Sequence, residues 1–276
     1  MNPDQVRQRV SETYAAAVQR PKGSCCGAGA VTTHPALATG YTADRLAPLP
    51  TDAVQNSFGC GDPLAFAEVQ PGQTVVDLGS GAGIDCLIAA RAVGPQGRVI
   101  GVDMTSAMLD RARANARQAG FDNIEFRSGL IEQLPVADAS ADWIISNCVI
   151  NLSPQKRRVF DEIARVLKPG GRVQISDMVA DDLPWAARHL ASLYDNCVAG
   201  AISEAEYVEA MRAAGLEDIR VLSRHTYDAA QLCGLADGGC VSIPRWIRPF
   251  TKRLAGSLAG RIHSIRITAR KPEVTH

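Results

Sequence analysis

Eight cysteines and one glycine-rich turn are the residues of this sequence best suited to chemistry. The turn, Asp77-Leu78-Gly79-Ser80-Gly81-Ala82-Gly83, follows a short apolar run and opens a helical pattern. Glycines at such a strand-to-helix turn let a ligand lie against backbone N–H groups. Asp103 closes the next apolar run, at about the 20-residue distance where an acid reaches ribose hydroxyls. Together they predict binding of a nucleotide-type ligand. Asp77 at the head of the turn is unfavourable beside an anionic pyrophosphate and favourable beside a cation. S-adenosylmethionine carries a sulfonium and an ammonium and no phosphate. The spacing therefore tilts from hydride transfer to methyl transfer.

Three cysteines stand where a ligand of such a fold would be met. Cys148 lies in Asn147-Cys148-Val149-Ile150-Asn151-Leu152, after the fourth expected strand. Cys197 lies in the Tyr194–Ala201 run after the fifth, and Cys60 in Gly59-Cys60-Gly61-Asp62-Pro63 before the first. Thiolates select soft centres. The bland alternative is a small buried hydrophobe, and Cys86, inside the helical pattern after the turn, reads that way. Cys233 and Cys240 fall in a Gly-rich stretch and are assigned nothing. Zinc is the rival ligand for several thiolates, but no Cys-x-x-Cys pair is present, so no structural metal is expected. None of the five histidines falls in the segment after the fourth strand, where a general base could serve.

The elements that must position these residues alternate strand and helix. Strands are expected at 74–78, 98–103, 124–127, 142–147 and 172–177. Helices are expected at 84–93, 106–119 and 155–167, the last opened by Ser153-Pro154 and stopped by Lys168-Pro169-Gly170-Gly171. Ser203 with Glu206 predicts a capping box for a helix to Ala214, and 219–222 and 263–269 read as closing strands. Such alternation predicts an α/β, doubly wound, mostly parallel sheet. Gln5 to Val18 reads as a helix, and 21–50 as loop. The division expected is an N-terminal extension (1–70) carrying Cys25, Cys26 and Cys60, a core (71–225), and an insertion with the closing strand (226–276).

The chain has 276 residues and 29 Lys+Arg against 29 Asp+Glu, and this balance speaks against nucleic acid as partner. A basic stretch, 241–272, reads as a solvated face. No apolar run is long enough for a membrane span and no leader precedes the polar start, so a reducing cytoplasm and free thiols are expected.

The Asp-x-Gly-x-Gly-x-Gly run resembles motif I of the class I S-adenosylmethionine-dependent methyltransferases. Cys25-Cys26, the Gly59–Pro63 turn, Val76–Cys86, Ile144–Pro154 and Cys197–Ala201 resemble the arsenite methyltransferases of bacteria and archaea, over roughly residues 20 to 225. That resemblance implies a Rossmann-like, seven-stranded sheet with its last strand antiparallel. It implies that Asp77, Gly79, Ser80, Gly81, Gly83, Asp103, Met104, Leu130, Ile131, Glu132 and Asn147 bind S-adenosylmethionine. Cys60, Cys148 and Cys197 would hold As(III), and one of Cys25 and Cys26 would serve the redox step. Arsenite and then methylarsenite would be methylated, with thioredoxin or glutathione as reductant, by a monomer without nucleic-acid or membrane partner. The alternatives are a methyltransferase for an organic molecule and a thiol-based metalloid-binding protein.

Overall fold

The structure is a computed structural model. It describes residues 2–19, 36, 40–59, 61–65, 67–182, 200–232, 256 and 258–273. Cys25, Cys26, Cys60, Cys197, Cys233 and Cys240 lie outside the described residues.

Seven strands form one sheet: β1 (Thr74–Leu78), β2 (Arg98–Asp103), β3 (Ile124–Ser128), β4 (Ala141–Asn147), β5 (Leu167–Ala180), β6 (Glu217–Thr226) and β7 (Ile262–Arg270). Their order is β3-β2-β1-β4-β5-β7-β6. The first five strands pair in parallel, and β7 runs antiparallel to both its neighbours. The expected doubly wound sheet with an antiparallel last strand is present. β1 and β4 read as continuous apolar runs because both faces are covered.

Among the described helices are α1 (Pro3–Gln19), α2 (Ala43–Leu46), α3 (Thr51–Gln55), α4 (Ile84–Val93), α5 (Ser106–Gln118), α6 (Lys156–Val166) and α7 (Glu204–Ala213). One apolar cluster places α6 and α7 against the sheet, with Val159, Phe160, Ile163 and Val166 forming the buried stripe of α6. The second lies on the other face. It joins α4 and α5 to Tyr41, Leu46, Leu49, Ala53 and Val54. The N-terminal segment thus belongs to a core; α2 replaces part of the loop expected for 21–50, and α3 follows directly after it. Their apolar residues are few and their turns short, too little for a visible period.

Several expected boundaries move, and β6 runs over Glu217–Thr226 where 219–222 was expected. α6 begins at Lys156, with Ser153 in the preceding turn, where its Oγ accepts from Gln155 N at 3.0 Å. β5 begins at Leu167 rather than Arg172, because Leu167 pairs at once with Ala141 before a register shift. The capping box of α7 is formed: Ser203 Oγ accepts from Glu206 N, and Glu206 Oε2 accepts from Ser203 N. No helix among the described residues is long and apolar enough to cross a membrane.

Candidate active site

The sheet order places the C-terminal ends of β2, β1 and β4 side by side, and the chain reverses its winding between β1 and β4. Ligands of open α/β sheets bind at that point. A cleft partly open to solvent lies there, in the place where such sheets hold small-molecule ligands.

Gly79, Ser80 and Gly81 form one wall. All three glycines of the turn have positive φ (67°, 52° and 91° for Gly79, Gly81 and Gly83), which a side chain would resist. Gly79 N and Ser80 N donate to Val102 O, and Gly81 N donates to Asp103 Oδ2 at 2.9 Å. Asp103 Oδ1 accepts from Thr105 N at 2.8 Å. Ser80 Oγ is buried and has no hydrogen-bond partner among the described residues, an orphan that a polar ligand would satisfy. Met104 and Ile131 supply apolar lining.

Asp77 does not line the cleft. Strand alternation turns it with Val75 towards α4, where it accepts the Cys86 thiol proton at 3.2 Å. Cys86 is buried and free, so packing describes most of its role. Burial, then the neighbouring Asp85 carboxylate, hold Asp77 well above the usual carboxylate range. Gly83 and Leu130 also stand off the lining: Gly83 caps α4, with Phe126 and Ala112 close to where a Cβ would go.

Asp85, which the motif did not single out, does line the cleft. Burial pushes its carboxyl up to about 7, and burial also raises Asp103. Three desolvated acids, Asp77, Asp85 and Asp103, thus surround the glycine turn. A cationic ligand would favour their ionised forms.

The opposite wall is Asn147, Cys148 and Val149. Cys148 has φ 57°, a left-handed conformation uncommon for a residue with a side chain, and its N–H donates to Ser176 O at 2.8 Å. It is disulfide-bonded. A Cβ on Gly79 would collide with Val149, so the cysteine-bearing turn rests directly on the glycine turn. Likewise a Cβ at Gly59 would collide with the Asn147 amide, and one at Gly61 with Ser176 Oγ. Both glycines that flank Cys60 in the chain are therefore seated on the ends of β4 and β5. Gly200, near Cys197 in sequence, abuts the Asn151 carbonyl.

Glu132 lines the cleft, but its carboxylate is already engaged, accepting from Ser153 Oγ at 2.7 Å and Arg7 Nε at 3.2 Å. Arg7, Val10 and Tyr14 of α1 close the cleft on that side, and Tyr14 meets Phe58 edge to face at 5.7 Å. Arg7, Tyr14, Tyr41 and Asp85 escaped the sequence reading. An acid in the first turn of a helix reads equally as a partner for the helix dipole.

Residues 70–215 match the family model described as a methyltransferase domain. The chain is 43% identical to an arsenite methyltransferase of Halobacterium salinarum, over 80% of this chain and 59% of that protein. It is 43% identical to one of Aquipseudomonas alcaligenes, over 60% of this chain and 49% of that protein. The chain thus spans only about half the length of these curated relatives. The crystal structure of an arsenic(III) S-adenosylmethionine methyltransferase from Chlamydomonas reinhardtii matches with TM-score 0.69 and 34% identity, covering 84% of this chain and 74% of that one.

Proposed function

The chain belongs to the arsenic(III) S-adenosylmethionine methyltransferases, and we propose that it transfers a methyl group from S-adenosylmethionine to As(III) held by cysteine thiolates. The observation that carries this reading is Cys148 in the wall of the cleft, on a turn packed against the glycine turn through Val149 and Gly79.

The residues present fit S-adenosylmethionine. Ser80, Gly81 and Asp103 would hold its polar parts, Met104 and Ile131 its adenine, and the acids around the turn its positive charge. When bound it supplies an electrophilic methyl group on sulfonium. Cys148, with Cys60 and Cys197 assigned from the family's motifs, would displace the hydroxyls of arsenious acid and form a pyramidal trithiolate. That species keeps a lone pair on arsenic, so the protein needs to align it rather than to deprotonate it. Val10, Tyr14, Met104 and Leu152 would shield the reacting atoms from water.

Methyl transfer formally oxidises arsenic by two electrons, and two thiols that become a disulfide return them. The disulfide at Cys148 supports a cysteine set that cycles between thiol and disulfide, with a thiol reductant such as thioredoxin or glutathione restoring it. One of Cys25 and Cys26 is proposed as a partner in that cycle. Methylarsenite would be a second substrate, needing fewer thiolates. The expected setting is the cytoplasm, where thiols stay reduced.

The test is incubation of the reduced full chain with S-adenosylmethionine, excess thiol and arsenite, with the arsenic species separated over time. Methylated arsenic is expected from the wild type and none from Cys148→Ser, which should still bind S-adenosylmethionine. Intact cofactor binding without any methylarsenical would sink the reading. A Cys148→Ser variant that methylates arsenic as fast as wild type would remove Cys148 from the set of arsenic ligands.

A further inference from the structure

Asn147 has more polar neighbours than its cofactor role requires. Its Nδ2 lies 2.6 Å from Gly61 O, 2.8 Å from Tyr41 Oη and 3.1 Å from Asp85 Oδ2, while its Oδ1 accepts from Gly61 N at 3.3 Å. Tyr41 Oη in turn donates to Asp85 Oδ1 at 2.7 Å. Tyr41 and Asp85 are 3% and 4% exposed, so these bonds are exchanged with little water.

The amide can stand only one way round. Three acceptors crowd its nitrogen and one backbone donor faces its oxygen, and turning the amide over would set oxygen against the Gly61 carbonyl and the Asp85 carboxylate. In the orientation present, Asn147 grips both backbone groups of Gly61, as a paired strand would. The residue before Gly61 in the chain is Cys60, and the residue after Asn147 is Cys148. Gly59, on the other side of Cys60, is packed onto the same amide.

We propose that Tyr41 and Asp85 are positioning residues for the metalloid: they orient the Asn147 amide, which fixes the backbone at Gly59 and Gly61 and so the approach of the Cys60 thiolate to Cys148. This rests on the reading of Cys60 and Cys148 as arsenic ligands. Tyr41 and Asp85 lie outside the glycine motif; Asp85 also lines the cleft, and the network meets the backbone of Gly61 through Asn147. A Cys60 thiolate held off its position captures As(III) less readily, so the cost falls on substrate binding.

The test uses the reduced full chain, with arsenite turnover measured against arsenite concentration and S-adenosylmethionine affinity measured separately by calorimetry without arsenic. Tyr41→Phe removes one hydroxyl and keeps the ring. Asp85→Asn can satisfy only one of its two donors. Each should raise the arsenite KM by roughly threefold to tenfold, the scale of losing one buried hydrogen bond, and in Tyr41→Phe, whose hydroxyl is not part of the cleft lining, cofactor affinity should be unchanged. The exchange Asp85→Asn with Asn147→Asp restores an amide–carboxylate pair but sets an oxygen against the Gly61 carbonyl. It should leave the arsenite KM raised. Wild-type arsenite KM in both single variants, recovery of KM by the exchange, or cofactor affinity falling in step with KM in Tyr41→Phe would each overturn the proposal. Absence of arsenite turnover in the wild type would overturn the functional reading and this inference with it, whereas normal wild-type turnover beside unaltered variants would overturn this inference alone.

Discussion

Asp177 shows how a buried acid in this protein is tied to stability rather than to the cleft. It lies within the buried run of β5 and is fully buried, accepting from Asn151 Nδ2 at 2.9 Å, Tyr207 Oη at 3.2 Å and Met178 N at 2.8 Å. Burial raises its carboxyl to about 6, against those hydrogen bonds, which lower it. The folded state therefore holds the proton more tightly than the unfolded state, where an Asp titrates near ~4. Unfolding releases that proton between about pH 4 and pH 6, so the contribution of Asp177 to stability falls as pH rises through this window, by roughly 3 kcal/mol in all, and is level above it. Asp177→Asn should flatten this slope. Denaturant melts of wild type and variant at pH 4.5 and pH 6.5 check it, and an equal pH dependence in both chains would refute it. At this scale the sequence was most informative where residue type and spacing are dictated by a ligand. Ser80, Gly81, Asp103, Asn147 and Cys148 all reached the cleft. Asp77 did not, because the alternation of β1 overrides its place in the motif. Asp85 and Tyr41 carried no signal, since their partners lie 62 and 106 residues away, at Asn147.

Among the elements, α1 is the one whose docking matters most to the cleft. Its existence was legible from composition, and the helix forms over Pro3–Gln19. Its place was not legible, because periodicity gives a buried face but not the surface that buries it. Val6 and Val10 pack with Cys148, Leu152 and Met178, and Arg7 reaches Glu132 and, at 2.7 Å, Gln155 Oε1. Glu132 is 5% exposed, so its carboxylate depends on Arg7 for a countercharge. Arg7→Ala leaves that carboxylate with Ser153 alone, and breaking a buried pair on one side costs about 3–5 kcal/mol in well-buried cases. The expected outcome is loosening of α1 ahead of the sheet. Hydrogen exchange should show lost protection across 5–18 with β1 and β4 unaltered, together with weaker S-adenosylmethionine binding because Val10 and Tyr14 form part of the wall. Full protection of α1 in the variant would show that apolar packing holds the helix without the ion pair.

For the molecule as a whole, two cores on opposite faces of one sheet hold the strand ends that build the cleft. The fold class was legible because it depends on many repeated local signals: buried parallel strands, amphipathic helices, a capped α7. The early start of β5 was hidden by Pro169 and two glycines that normally mark a stop, and there strand pairing with Ala141 prevailed over local preference. Phe160 tests whether core stability and site geometry separate. It is fully buried on α6 and meets Tyr207 of α7 edge to face at 5.2 Å, bridging two helices on one face of the sheet. Phe160→Ala removes a ring that the surrounding aliphatics cannot fill, at about 3–5 kcal/mol. For a chain of this size that corresponds to a drop in melting temperature on the order of 10 °C. The cleft is lined from the strand ends, the glycine turn and α1, none of which carries Phe160. S-adenosylmethionine affinity measured well below the transition should therefore match wild type. A variant whose cofactor affinity falls along with its melting temperature would mean that the helices of that face set the strand ends, and that the scaffold and the site cannot be varied apart.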